Sequence, residues 1–162
     1  MPNADIVVGA QMFGSHYPAV TYIAESTIFK GDFLKKNAAG TVERAAATNP
    51  VVGVALSDAS AGQECLVADH PDQLFMIQAD DATIDAQTDI GLNYDIVVGT
   101  ANTAYKRSAM ELDASSQVTT ATAVLRLIKV VPAPDNELGA NVKCVVRINN
   151  HQNGSSTGVA GV

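Results

Sequence analysis

The stretch NPVVGVALSDASAGQECLVADHPDQLFMIQ, residues 49–78, decides the fold class. Asn49-Pro50 interrupts the preceding pattern, and Val51-Val52-Gly53-Val54-Ala55-Leu56 is apolar at successive positions. A strand that reads this way is buried on both faces and therefore central in its sheet. Residues 57–62 then turn the chain toward a second apolar run at 63–68. Asp69-His70-Pro71-Asp72 turns it again, into Leu74-Phe75-Met76-Ile77-Gln78. Short strands separated by regular turn signals are the pattern of an all-β barrel or sandwich.

Toward the N-terminus the same rhythm continues. Val20-Thr21-Tyr22-Ile23-Ala24 is β-branched and aromatic, and Thr27-Ile28-Phe29-Lys30 follows it as a further strand. Gly31-Asp32 signals a turn into Phe33-Leu34-Lys35, and Asn37-Ala38-Ala39-Gly40 a loop into a strand over 41–46. Residues 1–18, punctuated by Gly9 and Gly14, lack helical periodicity and read as an extended arm that orders only by packing on something. Toward the C-terminus, residues 80–89 are acidic and read as one short helix or a surface loop, and strands follow at 95–98 and 108–112. Residues 122–131 form the longest strand, with Leu125, Leu127 and Val131 on one side and Val124, Ile128 and Val130 on the other. Pro132 and Pro134 end it. Val142, Cys144, Val146 and Ile148 then alternate with Lys143 and Arg147, which predicts an antiparallel return with Cys144 on the inner face. The expected architecture is a single β-rich domain over 19–152, a small barrel or sandwich of jelly-roll or SH3-like type. An extended N-terminal arm precedes it, and a flexible Gly/Ser/Thr tail over 153–162 follows.

Composition narrows the function classes. The chain has 162 residues, 10 basic and 17 acidic, for a net charge of −7. No basic face is available to neutralise phosphates, which argues against nucleic acid as a partner. No apolar run approaches the ~20 residues of a membrane-spanning helix. The first basic side chain is Lys30, so the start lacks the positive region of a secretory signal. Only 17% of residues are charged. An outer surface built instead from Ala, Ser, Thr, Asn and Gln suits contact with another protein.

The chemistry-bearing patterns are sparse. Cys65 and Cys144 fit no metal spacing; they read as buried free thiols, with one long-loop disulfide as the alternative. Gly154-Ser155-Ser156-Thr157-Gly158 matches a nucleophile-elbow pattern without the strand and helix that an elbow requires. Asn153-Gly154-Ser155 is a glycosylation sequon by pattern only. Asp80, Asp81, Asp85 and Asp89 could collect a calcium ion, but the central Gly of an EF-hand loop is absent, and a solvated acidic loop is the plainer reading. His70, between Asp69 and Asp72, could serve acid–base chemistry, or be an ordinary loop histidine beside Pro71. Asp5-Ile6-Val7-Val8-Gly9 recurs as Asp95-Ile96-Val97-Val98-Gly99, which two copies do not make into a repeat architecture.

Two stretches resemble tailed-bacteriophage head decoration proteins. Phe29-Lys30-Gly31-Asp32-Phe33-Leu34, then Asn49-Pro50-Val51-Val52-Gly53-Val54-Ala55, then Ala61-Gly62-Gln63-Glu64-Cys65-Leu66-Val67 is similar to that family's pattern of a KGD turn, an apolar strand and a further Gly turn. Leu125-Arg126-Leu127, Pro134-Asp135-Asn136 and Val145-Val146-Arg147-Ile148-Asn149-Asn150-His151-Gln152 resemble the C-terminal end of virion proteins encoded beside major capsid proteins. The resemblance implies a cement protein without cofactor or enzymatic activity. It would sit on the outside of the virion and bind the major capsid protein where subunits meet. It would be a homo-oligomer, a trimer in preference to a dimer. The two termini are then the expected contacts with capsid or sister subunits: Ile6, Val7, Val8, Met12, Phe13 and Tyr17 in the arm, and His151 and Gln152 at the other end. Two other classes compete with it: a tail or fibre module recognising a host glycan, and a hydrolase using His70 with nearby carboxylates.

Overall fold

The structure, a computed structural model, describes residues 3–82, 84–85, 87–154, 158 and 161. Its strands are β1 (Gln11–Phe13), β2 (Val20–Ile23), β3 (Phe33–Lys36), β4 (Val42–Arg44), β5 (Gly53–Ala55) and β6 (Glu64–Ala68), then β7 (Leu74–Gln78), β8 (Asn93–Tyr94), β9 (Ile96–Val97), β10 (Glu111–Leu112), β11 (Leu125–Val130) and β12 (Lys143–Ile148). One sheet has the order β1-β7-β12-β11-β8, a second has the order β2-β6-β5-β3-β4, and β9 pairs with β10. The sheets pack into an all-β sandwich. Of barrel and sandwich, it is the sandwich that forms. The edges of the second sheet meet at one parallel bridge, Ala24–Val42, without the continuous ladder that would close a barrel.

Alternation explains the two cores. Phe75 and Ile77 of β7, Cys144 and Val146 of β12, and Leu125 and Leu127 of β11 share a core with Phe33 and Val54 of the other sheet and with Val51 just before β5. Phe33 and Phe75 meet edge to face, with ring centroids 6.4 Å apart, a contact that adds about 0.5–1.5 kcal/mol beyond burial. The other face of the curled sheet encloses a smaller core containing Ile28, Leu34, Val52, Cys65 and Val67. The strand β5 stands between the two cores, which is why its sequence is apolar at every position. Gly53 is forced by the same packing, since a Cβ there would overlap the Ala68 carbonyl. Cys144 lies in the first core and Cys65 in the second, both as free thiols.

Two local expectations need correcting, over 122–131 and over 27–30. The 122–131 strand narrows to Leu125–Val130, and a register shift between Leu127 and Lys129 places Val130 opposite Cys144. That bulge inserts one residue, so Val130 joins the core-facing set with Leu125 and Leu127 rather than the opposite side. Residues 27–30 make a single bridge, Ile28–Ala59, instead of a strand, because the chain turns at once into Gly31-Asp32. There the Asp32 carboxylate is fully buried. It accepts from Phe29 N (2.9 Å) and Ser108 Oγ (2.7 Å) and lies 3.0 Å from Arg44 Nε. In the acidic segment, Gln87–Asp89 is one 3-10 turn.

The first described residues run along this body. β1 pairs antiparallel with β7, Met12 opposite Phe75, and so becomes the edge strand of the first sheet. The C-terminal expectation of a flexible tail falls mostly on 155–157, 159, 160 and 162, outside the described residues. Of the rest, Gly161 N donates to Thr119 O at 2.8 Å.

Candidate functional site

Residues 17–22 and 151–153 meet at the β6–β7 turn. The Tyr17 ring stacks on the His70 imidazole, with centroids 3.7 Å apart and planes 3° from parallel. Beside that pair, Asp69 Oδ2 accepts from Tyr22 Oη (2.8 Å) and from Asn153 Nδ2 (3.2 Å). His151 lies beneath: its Nδ1 accepts from Asn153 N at 3.0 Å, and the residue is 2% exposed. The arrangement joins residues 17 and 22, the 69–72 turn and 151–153 into one corner.

Local chemistry fixes each piece. Pro71 shapes the β6–β7 turn, and His70 Nδ1 accepts from Asp72 N at 3.1 Å, which orients the ring for stacking. The buried Gln73 holds the incoming segment. Its Oε1 accepts from Tyr17 N (3.0 Å), and its Nε2 donates to Ser15 O (3.1 Å) and Leu74 O (2.9 Å). On the other side His151 bridges to Val51, and Gln152 N donates to Val51 O at 2.9 Å. The Gln152 amide then continues the ladder: Oε1 accepts from Lys36 N (2.7 Å) and Nε2 donates to Lys36 O (2.9 Å). The corner is thus held from beneath by amide side chains that mimic backbone partners.

The electrostatics follow from burial. Desolvation pushes the His151 imidazole down to about 4, with His70 opposing its charge and Asp69 and Asp72 favouring it. It is neutral at pH 7, and its Nε2 has no partner among the described residues. Burial and then the Asp69 carboxylate raise the Tyr22 phenol, so it remains a hydrogen-bond donor to Asp69. Tyr17, stacked on His70, is 38% exposed at this corner. An aromatic face beside fixed polar groups can grip a partner that offers both an apolar surface and hydrogen-bond donors.

The expected contact residues are distributed unevenly. Tyr17, His151 and Gln152 come together here, but His151 is enclosed and presents no side chain to a partner in this conformation. Ile6, Val7, Val8, Met12 and Phe13 lie farther along the N-terminal segment. Ile6 is exposed, and its N–H donates to Gln78 Oε1 at 3.0 Å. Val7 and Val8 are half-buried. Met12 packs on the main core, and Lys129 Nζ sits 5.4 Å from the centroid of the Phe13 ring. Asp69 spends one oxygen on Tyr22 and Asn153, and His70 engages Tyr17 and the Asp72 backbone. Cys65 faces the inner core, with Sγ directed at Ser57 O (3.5 Å). Among the described residues no three His, Cys, Asp or Glu side chains are placed to hold a metal ion.

Sequence reasoning missed Tyr22, Gln73 and Asn153. Tyr22 was visible only as a strand residue, and nothing local marks Gln73 as the anchor of a segment so far away in sequence. A scan against protein-family models and a search of curated proteins found no match.

Proposed function

We propose that this chain is a structural virion protein that binds the outer surface of a bacteriophage capsid and stabilises contacts between major capsid protein subunits. The observation that carries the reading is the convergence of both terminal segments at one preorganised corner with Tyr17 exposed. A cement protein needs a rigid body and a fixed contact surface, and side chains held before binding lose little entropy on binding. The sequence resemblance in the KGD turn and in residues 125–152 points the same way. A partner protein, no nucleic acid and no membrane is the set of interactions that the acidic, weakly charged surface favours, with a homo-oligomer as the assembling unit. Co-sedimentation with expanded, undecorated capsids tests it. Saturable binding at a fixed ratio to the major capsid protein is expected, and Tyr17→Ala should weaken it at least about tenfold, as an aromatic anchor does. Absence of binding to intact shells overturns the reading.

One observation favours the second reading, a tail or fibre module for a host glycan. The Tyr17–His70 stack beside the Asp69 carboxylate is the arrangement on which a sugar ring can lie, apolar face on the aromatic and hydroxyls on the carboxylate. Binding to immobilised host-surface glycans that disappears in Tyr17→Ala, with no binding to capsids, would select it.

A further inference from the structure

We propose that the pocket between β1 and the end of β5 is a docking site for a partner polypeptide that presents an aliphatic side chain next to a carboxylate. The proposal goes beyond the capsid reading, since it names the chemistry of the bound segment and needs no capsid to test. The pocket has a volume of about 430 Å³. That falls in the range of sites that accept small ligands or single large side chains. Its lining combines the apolar Ala10, Met12, Ala55 and Leu56 with the exposed Gln11, His16 and Lys30.

Two features make it a prepared site. The first is a rigid frame. Ala10 N donates to Gly31 O, Gly31 N to Ala55 O and Ala55 N to Asp32 O, each at 2.9 Å, so three chain segments are joined at the pocket. Gly31 has φ +95°, and a Cβ there would stand 2.7 Å from Val8 O, so only glycine permits this approach. The second is charge. Like Lys36, Lys106, Arg107, Lys129 and Arg147, Lys30 has no ionic partner among the described residues, and of these it is the one that lines this pocket. The nearby Asp58 accepts the Lys30 backbone N–H at 2.8 Å. On a chain of net charge −7, an unpaired cation beside the apolar residues of a pocket selects an acidic group on the incoming segment. The His16 ring adds a second hydrogen-bonding group to the same lining.

The test uses the full chain with hexanoate as the probe and hexylamine as its opposite-charge control, followed by methyl NMR at Met12 and Leu56. Hexanoate should shift both methyl groups saturably in the millimolar range, and hexylamine should not. Lys30→Gln, an exposed change that leaves the frame intact, should weaken hexanoate by about fivefold, the upper end for an exposed ion pair. A matching unfolding midpoint confirms that the variant is folded. The proposal is overturned if neither probe gives saturable shifts, if hexylamine binds as well as hexanoate, or if the folded Lys30→Gln protein binds hexanoate unchanged.

Discussion

At its start, the N-terminal segment is clasped by Gln78, whose Oε1 accepts from Ile6 N and whose Nε2 donates to Asp5 Oδ1. At its end it is clasped by Gln73 in the same manner, through Tyr17 N and the Ser15 carbonyl. The attachment chemistry is alike, but the surroundings are opposite. The start lies in an acidic neighbourhood, where burial first, and then Asp5, Asp80 and Asp81, raise Glu111 to about 7. The end lies over His151, which burial lowers to about 4. The folded protein therefore prefers both groups uncharged, a proton retained at one end and refused at the other.

Gln73 carries the largest expected difference between the two clasps. This side chain is 1% exposed, and replacing it by Ala leaves the Tyr17 amide and the Ser15 and Leu74 carbonyls without their partner. A loss of about 2–3 kcal/mol in urea unfolding is expected, with faster amide exchange at Tyr17. Gln78→Ala should lose less, because Gln78 is 7% exposed against 1% for Gln73; equal losses would show that the two clasps are equivalent.

The next effect is the titration of His151. Its folded pKa lies below the unfolded value of 6.5, so its contribution is fully present above pH 6.5 and is lost as pH falls through about 4. The displacement corresponds to about 3 kcal/mol, reduced to about 2 kcal/mol by solvent near the corner. In His151→Gln the fall in stability between pH 6.5 and 4 should be shallower by that amount, measured by urea unfolding at each pH.

Glu111 has the opposite sign. Its folded pKa lies above the unfolded value of 4.5, so its contribution is present below pH 4.5 and is lost as pH rises through about 7. Glu111→Gln should gain up to about 1 kcal/mol at pH 8 relative to the parent and little at pH 4. A gain that is independent of pH would remove the charge explanation. The smallest change belongs to Tyr17→Ala: its ring is partly exposed, so stability should move by about 0.5 kcal/mol or less while partner binding falls. A large stability loss there would make the stack on His70 a structural element rather than a contact surface.

Much of this scaffold was legible from residues alone. The turn signals at Asn49-Pro50, 57–62 and 69–72 delimit β5, β6 and β7 because Pro, Gly and Asx residues act locally. The alternation in 142–148 placed Cys144 in the core, and the hairpin with β11 followed from the Pro132–Pro134 break. The bulge at Leu127–Lys129 was not legible, since one inserted residue changes facing without changing composition. The candidate corner was half legible. Tyr17, His151 and Gln152 were named only as expected contacts of the two terminal segments, and His70 as a polar loop residue; nothing in the chain says that the four share a place.

What the sequence determined by itself is the period-two pattern, the turn positions and the apolar character of β5, because these depend on each residue and its immediate neighbours. Tertiary structure alone decided that Asp32 would be buried against Arg44 and Ser108, and that an imidazole near the C-terminus would be enclosed and neutral. It also decided that Gln73 would hold the backbone of Tyr17. Each of these depends on which distant groups replace water around a polar atom, and that is settled only when the two sheets close on each other.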